Sequence, residues 1–148
     1  MNPANPNDPQ TIEARIRTIR ILWFTMLMSI VMYFVFTLVA ARREGLEPNP
    51  SLSLTLICAA MLMVLVAFVI KSKLLSNALG QQNTGMVQQA YVVAFAINEV
   101  AALLGLLDFF LTNDRYYFVL LIIAALGLLL HVPRREHVVN AAFKSSVM

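Results

Sequence analysis

Apolar residues fill this chain in four long stretches with short polar punctuation between them. Residues 21–41 and 52–70 carry no charge over 21 and 19 positions, residues 90–112 run for 23 with two acids, and residues 116–132 are the shortest at 17. Crossing the ~30 Å hydrocarbon layer takes about 20 mainly apolar residues as a helix. The apolar character is continuous rather than alternating, which predicts helices and not barrel strands. Arg42-Arg43-Glu44-Gly45 closes the first stretch, and Pro48 and Pro50 precede the second. Asn113-Asp114 makes so short a turn that the third and fourth helices must be antiparallel neighbours. The pattern predicts an all-α integral membrane four-helix bundle, one membrane domain over residues 1–148.

The flanks predict more local structure. Residues 1–10 are rich in Asn and Pro and are expected to be disordered. Asp8 before Pro9 suits a helix start, a capping side chain followed by proline in the first turn. From there Ile12, Ile16, Ile19 and Trp23 recur at helical spacing, with Arg15, Arg17 and Arg20 on other faces. This reads as a short amphipathic helix at the headgroups that runs into the first span. After Pro133, the residues Val138, Val139, Ala142 and Phe143 oppose Arg134, Arg135, Glu136 and His137, a second amphipathic helix. Both helices are expected to dock on lipid or on the connection between spans two and three. That connection, residues 76–89, is polar, nearly uncharged and reads as the one substantial loop, with span two reaching at most Ala78.

Composition narrows the class. The 148 residues are 59% hydrophobic and 13% charged, with a mean hydropathy of +0.74, against roughly 25% charged in soluble domains. The net charge of +3, with no basic run and no zinc pattern, argues against a nucleic-acid partner. Cys58 is the one cysteine, so no internal disulfide and no paired-thiol chemistry is expected. The first apolar run is too long for a signal-peptide core and reads as a retained span. Of the 11 Lys and Arg residues, eight fall on the side shared by the two ends and the 76–89 connection. That asymmetry predicts both termini in the cytoplasm. The other side has Arg42, Arg43 and Arg115, the first two beside Glu44 and Glu47.

Candidate chemistry concentrates in span three. Tyr91, Ala94, Asn98, Ala101, Gly105, Asp108 and Thr112 step by three and four, forming one small or polar stripe. Small residues let helices approach closely in lipid and polar ones bond across the contact, so the stripe is expected to face the bundle interior. Glu99 lies beside it, near mid-span. An ionised carboxylate there costs at least ~2.5–3.5 kcal/mol on insertion scales. It must be protonated or find a donor or cation. Ser29 lies at matching depth in span one, Asn98 is adjacent in sequence, and Lys71 at the end of span two is the nearest cation. Two readings follow: a carboxyl that binds and releases a proton or cation with Asn98 and Ser29, or a structural acid that fixes helix packing. Asp108 is expected to pair with Arg115 or Arg42. Tyr91, Tyr116, Tyr117 and Trp23 suit interfacial aromatic belts. His131 and His137 follow one another across Pro133 and do not form a haem or metal pair. No catalytic triad, His-Glu-x-x-His or phosphate loop occurs, so neither an enzyme nor a cofactor is expected.

Glu99-Val-Ala-Ala-Leu-Leu-Gly105-Leu106, continuing to Phe109-Phe110-Leu111, resembles the carboxylate helix of rotary ATPase proteolipid subunits. That resemblance covers about 15 residues and implies an ion-carrying role for Glu99. The glycine-free spans one and two differ from the glycine-repeat helix of that family. Glu99, Gly105-Leu106, Phe110-Leu111-Thr112 and Pro133-Arg134-Arg135 together resemble small bacterial four-span membrane proteins without an assigned activity. This second resemblance implies a multi-pass protein of the inner membrane. The expectation is a non-enzymatic accessory or scaffold subunit that meets lipid, other membrane subunits or itself. The alternative is a proton- or cation-coupled transport element built on Glu99.

Overall fold

The computed structural model describes residues 9–40, 48–112 and 114–143. The expectations for residues 1–8, for Arg42 to Glu47, for Asn113 and for Lys144 lie outside the described residues. The described chain forms five helices: α1 (Pro9–Val39), α2 (Pro50–Gly80), α3 (Thr84–Leu111), α4 (Tyr117–Leu130) and α5 (Arg135–Ala142). No strand occurs among the described residues. α1, α2 and α3 are long and apolar enough to cross a membrane. α4 has 14 residues, about 21 Å at 1.5 Å per residue. It qualifies as a span only together with α5, from which it is bent by 41°. The fourth helix is therefore shorter than the 17 apolar residues suggested, because the chain leaves helical geometry at His131, ahead of Pro133.

The helix ends follow local chemistry. Pro50 sits in the first turn of α2, and the Asn49 side chain accepts from Leu52 N–H at 3.1 Å. Asn83 caps α3 by accepting from Gly85 N–H and Met86 N–H at 2.9 and 3.3 Å. Only residues 81–83 separate α2 from α3, and Gln82 takes a left-handed conformation, φ 51°. The expected loop over 76–89 is thus mostly helix. Hydropathy marks where the apolar run stops. The helices continue past it because Ala78 and Val87 are buried against their neighbours at helical positions.

α3 lies at the centre. It packs against each of the other four helices, whereas α1 and α2 make no close backbone approach to one another among the described residues. In their most apolar windows 44% of α3 is buried, against 11% of α1 and 17% of α2. The expected N-terminal amphipathic helix is the first part of the continuous α1. Ile12, Ile16 and Ile19 belong to the protein's own core, which also contains Val138 and Ala141 of α5, so this apolar stripe does not lie free. Arg135 of α5 also pairs with Glu13 of α1. α5 forms where the tail pattern placed it, with Val138, Ala141 and Ala142 inward and Phe143 exposed.

Small residues set the closest approaches. α2 turns Ser53, Ala60 and Ala67 inward, seven residues apart. Gly105 leaves room for α4: an added Cβ would sit 3.1 Å from Leu121 Cδ2 and 3.2 Å from Leu120 Cβ. At Gly127 of α4 an added Cβ would overlap the Asn98 amide oxygen. Gly127→Ala is expected to destabilise the protein by about 1–3 kcal/mol, the usual range for overpacking. Gly80→Ala, with nothing within 4 Å of the new Cβ, should change little. Thermal unfolding of both variants in detergent compares them directly.

Candidate functional site

The residues of the predicted span-three stripe all point inward. Tyr91, Ala94, Asn98, Ala101, Asp108 and Thr112 are fully buried, and Gly105 is buried with them. The polar atoms of the stripe and of Glu99 beside it face different neighbours, which gives α3 three sites.

The first site joins α3 to α1. Glu99 is partly buried. The Ser29 hydroxyl lies 2.8 Å from both of its carboxyl oxygens, and Tyr33 O–H donates to Oε1 at 2.6 Å. Ser29 and Tyr33 are four residues apart on α1 and so share a face. Ser29 Oγ is also 2.7 Å from the Met26 carbonyl. The donor count allows either protonation state. With an ionised carboxylate both hydroxyls donate to it. With a neutral carboxyl, Ser29 donates to Met26 and accepts from Glu99 while Tyr33 donates to Oε1.

Asn98 does not join this site. Its Nδ2 donates to the Ala94 carbonyl at 2.8 Å, and its Oδ1 is buried against Gly127 without a hydrogen-bond partner among the described residues. Successive helical residues point about 100° apart, so adjacency in sequence separated the two side chains. Lys71 does not reach Glu99 either. Its Nζ stands 4.5 Å from the centre of the Tyr91 ring, and Tyr91 is two turns before Glu99. Tyr33 was not singled out by sequence reasoning. Its position four residues after Ser29 was the available signal.

The second site joins α3 to α2. Ser53 donates to Asp108 Oδ2 at 2.8 Å, and both residues are fully buried. Asp108 Oδ1 has no partner among the described residues. The expected pairing with Arg115 is not present. Arg115 is exposed, whereas Asp108 turns into the helix contact and meets the Ser53 hydroxyl. Arg42 lies outside the described residues. Glu99 and Asp108 are nine residues apart, two and a half helical turns. They therefore leave α3 on opposite sides, one toward α1 and the other toward α2.

The third site lies at the α5 end of the bundle. Tyr91 is fully buried and does not sit in an exposed aromatic belt. Its oxygen accepts from Arg134 N–H at 3.1 Å and lies 2.7 Å from His137 Nδ1. α5 packs against this end of α3. Trp23 Nε1 donates to the Leu128 carbonyl at 2.9 Å, which ties α1 to α4. Tyr117 is buried against Phe109, and Tyr116 alone of the four expected aromatics is mostly exposed. His131 is buried, with Nδ1 donating to the Gly127 carbonyl at 2.5 Å. No cluster of three or more His, Cys, Asp or Glu residues suited to a metal ion occurs among the described residues.

Compared with protein family models, curated proteins and solved structures, the chain matches none. Functional assignment therefore rests on geometry.

Tyr33→Phe removes one donor from Glu99 and leaves the ring in place. It should lower stability in detergent by about 0.5–2 kcal/mol, the range for interhelical hydrogen bonds in membrane proteins. Tyr116→Phe, at an exposed ring, is the matched control. Equal midpoints for the two variants would contradict a stabilising Tyr33–Glu99 bond.

Proposed function

We propose that this chain is a non-enzymatic, multi-pass protein of the bacterial inner membrane that serves as an accessory or scaffold subunit. Its outer surface supports the membrane reading. Phe24, Met32, Leu38, Leu62, Leu65 and Phe68 are all large, apolar and more than half exposed. That is a surface suited to lipid and unsuited to water. α4, continued by the turn after it, supplies the fourth crossing in this reading, and α5 lies at its cytoplasmic end. Both termini lie in the cytoplasm, supported by the Lys and Arg asymmetry of the sequence.

The observation that carries the non-enzymatic reading is the engagement of Glu99. Its neighbours are two hydroxyls of α1, and no base, cation or second acid joins them among the described residues. A mid-membrane acid held in this way fixes how α1 docks on α3. It resembles the proteolipid motif in sequence but is tied to a neighbouring helix of its own chain.

Glu99→Gln keeps an acceptor for Tyr33 and removes the ionisable group. In proteoliposomes the variant is expected to match wild type in proton and cation flux. Flux present in wild type and lost in a variant that folds normally would overturn the structural assignment in favour of an ion-coupled transport element. Purification from native membranes in mild detergent tests the accessory role separately. Co-elution of a second membrane protein is expected, and elution alone counts against it.

A further inference from the structure

Lys71 is the anomaly that the bundle's own packing leaves unexplained. It is 8% exposed, yet it has no hydrogen bond or ion pair among the described residues. Its ammonium rests beside the Tyr91 ring, a cation–π contact that supplies part of the lost hydration. Of the acids at this end, Glu13 is engaged by Arg135, and Glu136 is exposed on α5.

A cavity of about 260 Å³ opens beside it between α2, the end of α4 and the start of α5. Lys71, Arg134 and His137 supply its basic groups, and no acid lines it. Tyr91 sets two of the three. It accepts from Arg134 N–H and lies in hydrogen-bond contact with His137 Nδ1. When Tyr91 O–H is the donor of that contact, the proton of a neutral His137 sits on Nε2, a further donor. Burial, with Lys71 and Arg134 nearby, pushes His137 below the ordinary imidazole range, while Glu136 acts weakly the other way. Ser72 and Leu75 complete the wall with Phe68, Leu130 and Val132, and the last three are themselves well exposed on the outer surface. The cavity thus has a basic end and an apolar end that continues onto the lipid-facing surface. It is below the 300–1,000 Å³ of most small-molecule sites, a size suited to a phosphate group and its immediate attachment.

We propose that Lys71, Arg134 and His137 form a binding site for the phosphate of an anionic phospholipid, with the acyl chains lying along Phe68, Leu130 and Val132. The proposal rests on the membrane reading given above. Basic pockets between membrane helices on the cytoplasmic side are suited to such headgroups.

Native mass spectrometry of the full chain in mild detergent, with phosphatidylglycerol and phosphatidylcholine supplied in equal amounts, reads the site. Wild type is expected to retain phosphatidylglycerol in preference. Lys71→Met and Arg134→Gln should each weaken that preference about fivefold, the effect of one cation near an anionic headgroup. Lys71→Arg should restore it, and Arg20→Gln, which removes the same charge from an exposed position outside the cavity, should leave it unchanged. If Lys71→Met does not fold, Arg134→Gln decides. Equal retention of the two lipids, or a preference unchanged in both cavity variants, overturns the proposal. So does stabilisation by inorganic phosphate that phosphatidylglycerol does not reproduce, since the site would then take a free anion. Alkaline extraction of native membranes is the independent readout: release of the chain into the supernatant would contradict the membrane reading itself.

Discussion

The bundle depends on the hydrogen bonds that leave α3 toward the helices on either side. Among the described residues α1 and α2 make no close backbone approach to one another, and α3 packs against both, as α4 and α5 also do. In the proposed membrane setting, helices that are apolar on all faces gain little from one another, because lipid tails are as apolar as leucine. Position must then come from polar bonds and from close backbone approach. Glu99 holds Ser29 and Tyr33 of α1, and Asp108 holds Ser53 of α2. The half-turn between the two acids allows one helix to serve both partners. Tyr91 does the same for α5 through His137 and the Arg134 amide.

α4 is held differently. Gly105 admits Leu120 and Leu121, and Gly127 admits Asn98. These are contacts of shape, in which a single added methyl group is felt because the interior is close-packed. The polar and small residues of α3 are therefore one device with two modes. Acids select the orientation of the outer helices, and missing side chains set the distance to α4.

The inward face of α3 was legible in the sequence because its small and polar residues repeat at helical spacing. The closeness of Ser29 to Glu99 followed from depth alone, since α1 and α3 run in the same direction. The partner of Asp108 was not legible as a cation, because the carboxylate is met by the hydroxyl of Ser53, which opens a spacing of seven with Ala60 and Ala67. Tyr91 was assigned to an interface and is instead a buried junction. Hydropathy locates the apolar run, and the helices extend beyond it. The same effect turned the expected 76–89 loop into helix. Arg134 and His137 lie on the polar side of the tail pattern, but the α5-end cavity had no sequence signal, since Lys71 joins them only when α2 packs against α5.

Paired double-mutant cycles test the central role of α3 most directly. One cycle combines Tyr33→Phe with Glu99→Gln, the other Ser53→Ala with Asp108→Asn, each followed by unfolding in detergent. Each pair should be non-additive by about 0.5–1.7 kcal/mol, while Tyr33→Phe with Asp108→Asn should be additive within about 0.5 kcal/mol. Additivity within both bonded pairs would contradict the account, since α3 would then not be holding α1 and α2 through its acids.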